Sequence, residues 1–261
     1  MDLGIKGRHA LVLAAGGGLG STIAQTLARE GVRVTAADVD AEGADRTAEA
    51  IQADGAEASS VSWDLGDIDQ GRSTVERLAA EGRPVDILVN ITGGPPPSPV
   101  SGQSPDLWRK QFESMVMSVV TLSDAVLPHM REQRWGRIIT STSSGIIAPI
   151  PNLGLSNALR SQLVGWSKTL AREVAADNIT SNLVVPGRIA TPRISFLDQA
   201  KAEREGRPVD DVQQESWAAI PMGRYGRPEE YAGAVAFLAS EQASYITGTT
   251  MRIDGGLIAS I

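Results

Sequence analysis

The chain contains no cysteine, which excludes disulfides, thiolate catalysis and cysteine-based metal sites. Histidine is nearly absent too. His9 and His129 lie far apart, with no acidic partner at ligand spacing, and His129, in Leu127-Pro128-His129-Met130, is predicted to cap a helix end. Aromatic residues make up 4% of the chain, and its three tyrosines, Tyr225, Tyr231 and Tyr245, all fall near the C-terminal end. No apolar run approaches the ~18 residues that span a bilayer, and Met1 to Arg8 shows no apolar signal-peptide region. A soluble cytoplasmic protein is therefore expected. A basic excess is missing as well. The formal charge of −7 argues against a nucleic-acid-binding face or attraction to anionic lipid.

Glycine and small apolar residues are plentiful. There are 27 glycines, and hydrophobic residues reach 42%, enough for a sizeable core. Apolar strand-like runs alternate with helical patterns. Strands are predicted at 10–13, 32–37, 60–63, 85–89, 137–140, 180–185 and 249–253. Helices are predicted at 21–30, 41–53, 69–80, 105–130 with a break at Pro128, 155–176 and 228–240. Residues 188–224 are polar, proline-bearing, and helical or loop. This strict alternation predicts one α/β domain: a doubly wound, seven-stranded parallel sheet with helices on both faces. Gly93-Gly94-Pro95-Pro96-Pro97-Ser98-Pro99 is a stiff loop. It reads as a rim loop or, because it directly follows a strand's carboxyl end, where open α/β sheets bind ligands, as a wall of a substrate site.

Leu13-Ala14-Ala15-Gly16-Gly17-Gly18-Leu19-Gly20 joins the first strand to the first helix. Glycines there let the backbone approach a pyrophosphate, and the helix N-terminus supplies free N–H groups and positive dipole. Asp38 ends the second strand, about twenty residues beyond the turn. A carboxylate there can accept hydrogen bonds from ribose hydroxyls and repels a 2′-phosphate, so NAD is expected in preference to NADP. Asp38 could also cap the helix that follows it.

With these residues in place, the chain from Gly7 to Gly256 resembles the short-chain dehydrogenase/reductase family, close to its β-ketoacyl-carrier-protein reductase-like branch. Asp64-Leu65 resembles the family's adenine-contacting pair. Val89-Asn90-Ile91-Thr92-Gly93 stands where the family has an Asn-Asn-Ala-Gly segment. Gly136-Arg137-Ile138-Ile139 leads into the serine-bearing strand, and Pro186-Gly187-Arg188-Ile189-Ala190-Thr191 resembles the loop on the carboxamide side of nicotinamide. Gly226-Arg227-Pro228 and Asp254-Gly255-Gly256 match C-terminal signatures. The resemblance implies a Rossmann-like fold and a small-molecule substrate under a lid at 188–224. It implies a homodimer or homotetramer, and the apolar tail Leu257 to Ile261 is compatible with burial in a partner or within the chain. It also implies cofactor contacts at Ala15, Gly17, Gly18, Leu19, Gly20, Asp38, Asp64, Leu65, Asn90, Thr92, Gly93, Pro186, Gly187, Ile189 and Thr191.

The departures are systematic. The family's Thr-Gly opening of the phosphate loop is Leu13-Ala14. Its catalytic serine falls on Ser143, but its tyrosine falls on Ser156, its lysine on Arg160 and its supporting asparagine on Met115. An alkyl hydroxyl is a far weaker acid than a phenol, an arginine does not deprotonate to relay a proton, and a methionine can only pack. Ser143, Ser156 and Arg160 are the candidate catalytic groups, and Arg160 could bond the nicotinamide ribose or a substrate anion. Three readings stand. One is an NAD-linked oxidoreductase of a carbonyl or alcohol whose proton comes from water, substrate or Ser143. The second is a dinucleotide-binding sensor or partner subunit without turnover. The third is non-redox chemistry on an anionic substrate held by Arg160. A serine hydrolase is excluded because no histidine lies near either serine, and Lys168, the one lysine near enough to pair, reads as a surface residue.

Overall fold

The computed structural model describes residues 2–261. Strand β1 (His9–Leu13) is buried throughout and apolar from Ala10 to Leu13, as suits a central parallel strand. It enters helix α1 (Gly18–Arg29), whose buried Ile23, Ala24, Leu27 and Ala28 recur at helical spacing. The alternation continues through β2 (Arg33–Asp38), α2 (Ala41–Ala53), β3 (Ala58–Ser62), α3 (Ile68–Ala80) and β4 (Ile87–Ile91). Helix α3 begins where the Asp67 carboxylate accepts from the Gln70 N–H, the usual work of an aspartate at that position. After the proline loop come α4 (Pro105–Phe112), a π-helical segment at Glu113–Met117, and α5 (Ser118–Glu132). Then follow β5 (Gly136–Ser141), α6 (Gly154–Val174), β6 (Ile179–Pro186), α7 (Pro192–Glu205), α8 (Val209–Ala218), α9 (Pro228–Ala239) and β7 (Thr250–Ile253).

The seven strands form one sheet in the order β3-β2-β1-β4-β5-β6-β7, all parallel. On one face Ile23 and Leu27 of α1 pack with Tyr231, Val235 and Leu238 of α9. On the other, Val75, Leu78, Leu122, Val126, Leu170 and Val174 come from α3, α5 and α6. Each such fully buried aliphatic side chain stabilises the fold by about 1.5–3 kcal/mol. The chain leaves β1 toward β2 on one side and reaches β4 on the other. The carboxyl ends of β1 and β4 therefore diverge at the point where doubly wound sheets open a binding crevice.

Two expectations fail here. Pro128 does not break the long helix: it lies inside α5, which runs on to Glu132. The buried Val126, Leu127 and Met130 hold the turn against the loss of one backbone hydrogen bond. The irregularity falls instead on the π-helical segment containing Met115, and π-turns gather at functional sites. His129 does not cap a helix end either. Its Nε2 lies 3.2 Å from Asp86 Oδ1, beside the start of β4 and away from the crevice. Among the described residues no helix is long and apolar enough to cross a membrane. In the C-terminal tail Leu257 and Ile258 are half-buried, while Ile261 is exposed.

Candidate active site

A cleft of about 230 Å³ opens at the β1/β4 divergence, lined by Leu13, Ala14, Asp38, Trp63, Asp64, Leu65, Gly93 and Gly94, with Gln111 and Ser114 from the long helix. Asp38 stands at its edge. Its Oδ2 accepts from the Gly16 N–H at 2.8 Å and its Oδ1 from the Asp40 N–H at 2.9 Å. Asp38 thus ties the glycine-rich turn to β2. The capping alternative for it is not what the structure shows, because Asp40 occupies the N-cap of α2. Arg46, the cation that follows in α2, is paired with Asp40 at 3.5 Å and Glu42 at 3.7 Å.

The turn itself is tightly packed. A Cβ on Gly20 would stand 2.0 Å from the Ala14 carbonyl oxygen, so only glycine fits there. Ala14, where the family has glycine, sits at φ +50°, in the left-handed region that costs an L-residue about 1–2 kcal/mol. The substitution therefore keeps the loop's shape under strain. A Cβ on Gly18 would be 3.9 Å from the Thr191 side chain, which brings the 186–191 loop against the turn. Thr191 Oγ1 accepts from the Ile194 N–H and starts α7. Gly187 packs so closely on Asp254 that a Cβ would lie 2.5 Å from its Cα, and Ile189 is buried. Asn90 is fully buried, its Nδ2 donating to Thr140 Oγ1 at 3.3 Å, which braces β4 against β5. Asp38, Asp64, Leu65 and Gly93 thus line one cleft beside the glycine turn, and the glycine cradle, the Asp38 carboxylate and the cleft beside Asp64 and Leu65 fit a dinucleotide.

The other side of the crevice is differently built. Arg160 on α6 is 8% exposed. Its Nη2 donates to Thr92 O at 3.0 Å and Gly93 O at 2.8 Å, its Nη1 to Ser141 O at 3.4 Å, and its Nε to Ser156 Oγ at 3.3 Å. Three of its five donors therefore hold the carboxyl ends of β4 and β5, and a fourth holds Ser156 on its own helix. Burial, then the nearby Arg193 charge, pull its pKa down to about 10, so it remains charged near neutrality. The open bidentate fork expected of Arg160 is absent; Nη1 keeps one N–H unassigned. Ser156 is buried against this guanidinium. Ser143 is half-buried and its Oγ accepts from the Gly145 N–H at 3.1 Å. Met115 packs against Val119, Leu159 and Leu163, in the π-turn that would otherwise present a polar side chain.

Three participants escape a reading of the sequence. Tyr231, remote in the chain, is fully buried with its hydroxyl 2.7 Å from Ser141 Oγ. A phenol remote in the chain therefore reaches the strand that leads to Ser143. It is no acid for solvent chemistry, since burial raises its pKa strongly. Trp63 lines the cleft one residue before Asp64. Arg193, two residues beyond Thr191, donates to Pro95 O at 3.0 Å, tying α7 to the proline loop. Only Trp63 had a signal, its place beside Asp64.

A family model described as enoyl-(acyl carrier protein) reductase matches residues 13–258. The 3-oxoacyl-acyl-carrier-protein reductase FabG of Salmonella typhimurium is 37% identical over 257 residues, covering 98% of this chain and 99% of that one. The L-sorbose reductase of Gluconobacter frateurii, solved with NADPH and L-sorbose, superposes with a TM-score of 0.94 at 28% identity over the full length of both chains. A gluconate 5-dehydrogenase of Burkholderia cenocepacia, solved with NADP and tartrate, gives a TM-score of 0.89 at 26% identity, covering 100% of this chain and 98% of that one.

Proposed function

The chain belongs to the short-chain dehydrogenase/reductase family of oxidoreductases, and from that premise we propose that it interconverts a small carbonyl compound and its alcohol with NAD(H), using neither the family's tyrosine nor its lysine. The observation that carries this reading is the crevice itself. Asp38 is fixed on the glycine turn at one end, and a charged, buried Arg160 stands beside Ser156 at the other.

In this reading the α1 N-terminus and the backbone of Ala15, Gly17, Gly18, Leu19 and Gly20 hold the pyrophosphate. Asp38 accepts from the adenosine ribose, and Asp64 and Leu65 flank the adenine. Thr92 and Gly93, with Asn90 bracing their strand, and the Pro186, Gly187, Ile189 and Thr191 loop hold the nicotinamide end. The bound nicotinamide supplies or accepts the hydride. The solved relatives named above hold NADPH or NADP. Here the Asp38 carboxylate would repel a 2′-phosphate, and Arg46, the cation that follows it in α2, is already paired with Asp40 and Glu42, which favours NAD.

Ser143 positions the substrate oxygen. Arg160 contributes a fixed positive charge where negative charge develops on that oxygen. It does not shuttle the proton, because its pKa of about 10 keeps it protonated at neutral pH. Ser156, an alkyl hydroxyl held by Arg160, is too weak an acid to replace a phenol, so the proton is exchanged with water at Ser143. Following NADH absorbance against a panel of ketones, aldehydes and the matching alcohols tests the proposal. Turnover that falls sharply in Ser143→Ala is expected. Saturable NADH binding with no turnover on any member would instead mark a dinucleotide-binding subunit without chemistry.

A further inference from the structure

The molecule buries a second arginine, Arg137, and the contrast with Arg160 is informative. Arg137 is fully buried but has a carboxylate counter-ion, Glu241, at 3.6 Å. Arg160 has carbonyl and hydroxyl partners and no ion pair, in a chain whose formal charge is −7. Burying a charge with no opposite charge beside it is costly. A second cation then comes close. A Cβ on Gly94 would lie 3.7 Å from Arg160 Nη2 and 3.7 Å from Arg193 Nη2. Two guanidinium groups therefore meet across one residue of the proline loop, and neither forms an ion pair. Like charges brought together with no acid paired to either repel one another, and the repulsion is relieved when an anion enters.

Resting on the oxidoreductase reading above, we propose that the substrate carries a carboxylate, gripped by Arg193 of α7 beside Gly94, with the buried Arg160 guanidinium adding its positive charge from the other side of that residue. Arg193 has the free geometry for it. One Nη2 hydrogen is engaged by Pro95 O, while the other, paired with Nε or Nη1, remains to grip a carboxylate as a fork. The dinucleotide's own phosphates are the competing anion. They already have the glycine turn and the α1 N-terminus across the crevice, whereas the arginines clasp the loop that walls the other side. Since Arg160 fastens β4 and β5 through backbone carbonyls, its removal would disturb the fold. Arg193, exposed on α7, is the residue to change.

The test is calorimetric titration of the native protein and its Arg193→Gln variant with malonate and with malonamide, its uncharged counterpart of the same shape. NADH is titrated into both proteins in parallel. The expected result is malonate binding that is at least about tenfold tighter than malonamide binding, weakens as NaCl rises, and falls about tenfold in Arg193→Gln, the loss of one charge-assisted fork. NADH affinity stays within a few-fold. Equal binding of malonate and malonamide by the native protein overturns the proposal. So does an Arg193→Gln variant that loses NADH but keeps malonate, which would assign the cation to the cofactor. If the native protein binds malonate selectively but no NADH, the anion site stands and the redox reading falls.

Discussion

At the nucleotide end of the crevice, Asp38 and the Gly16 to Gly20 turn keep the family pattern with one strained exception, Ala14. At the other end, Ser143 alone keeps its identity, while Met115, Ser156 and Arg160 replace every other group the family uses to move a proton. The two ends differ in what they ask of side chains. A pyrophosphate is held largely by backbone N–H groups and by the absence of Cβ atoms, so the requirement is one of shape. Proton transfer depends on the acidity of one particular side chain, and no change of shape supplies it. The replaced end has nevertheless been reorganised without collapse. Arg160 reaches Thr92 O and Gly93 O, Met115 fills the apolar cluster, and the π-turn around it persists.

The sharpest way to break this contrast is to restore the lost chemistry. Met115→Asn, Ser156→Tyr and Arg160→Lys together should raise reductase turnover by about 10²- to 10⁴-fold, the usual contribution of a positioned general acid. Steady-state NADH oxidation on a small ketone measures it, and a native protein already working at the restored rate would show that the phenol is not missed. Next in size is the opposite lesion. In Gly20→Ala the new Cβ meets the Ala14 carbonyl, and overpacking of about 1–3 kcal/mol should weaken NADH binding about ten- to hundredfold in a fluorescence titration. Asp38→Ser should erase the discrimination between NADH and NADPH, a change of about tenfold in the ratio of their dissociation constants.

Two smaller effects bound the comparison. Ala14→Gly should remove the left-handed strain and stabilise the protein by about 1 kcal/mol, seen as a Tm about 2–4 °C higher. A Tm that does not rise would mean that the loop conformation carries no strain. His9, at the far end of β1, serves as a control for both halves. It is buried with Nδ1 donating to Arg83 O at 2.7 Å, and burial lowers its pKa below 6.5. Folding therefore disfavours its protonated form. Stability should be full above about pH 6.5 and decline as pH falls through that value toward the folded-state pKa. His9→Gln should flatten that decline in urea unfolding between pH 7 and 5, with NADH affinity at neutral pH unchanged.

The seven strands and their alternation with helices were legible because buried parallel strands and amphipathic helices write their periods into the sequence. Strand ends moved by a few residues: β4, predicted at 85–89, runs Ile87–Ile91, since pairing with β5 rather than composition sets its limit. The substitution of Ser156, Arg160 and Met115 was legible by position, but its consequences were not. That Arg160 would engage carbonyls 67 and 68 residues away, that Arg193 would meet it at Gly94, and that Tyr231 would lie under Ser141 are all products of the closed sheet. Pro128 misled because tertiary packing outweighed a local rule, and His129 because its partner, Asp86, lies 43 residues away.

The central claim is that the nucleotide half works without the proton-transfer half. Titrating the native protein with NADH and then NADPH, and following nicotinamide fluorescence, tests it most directly. Saturable binding of NADH, tighter than that of NADPH, is the predicted result. Absence of saturable NADH binding, or binding that appears only once Met115, Ser156 and Arg160 are restored to Asn, Tyr and Lys, would contradict it.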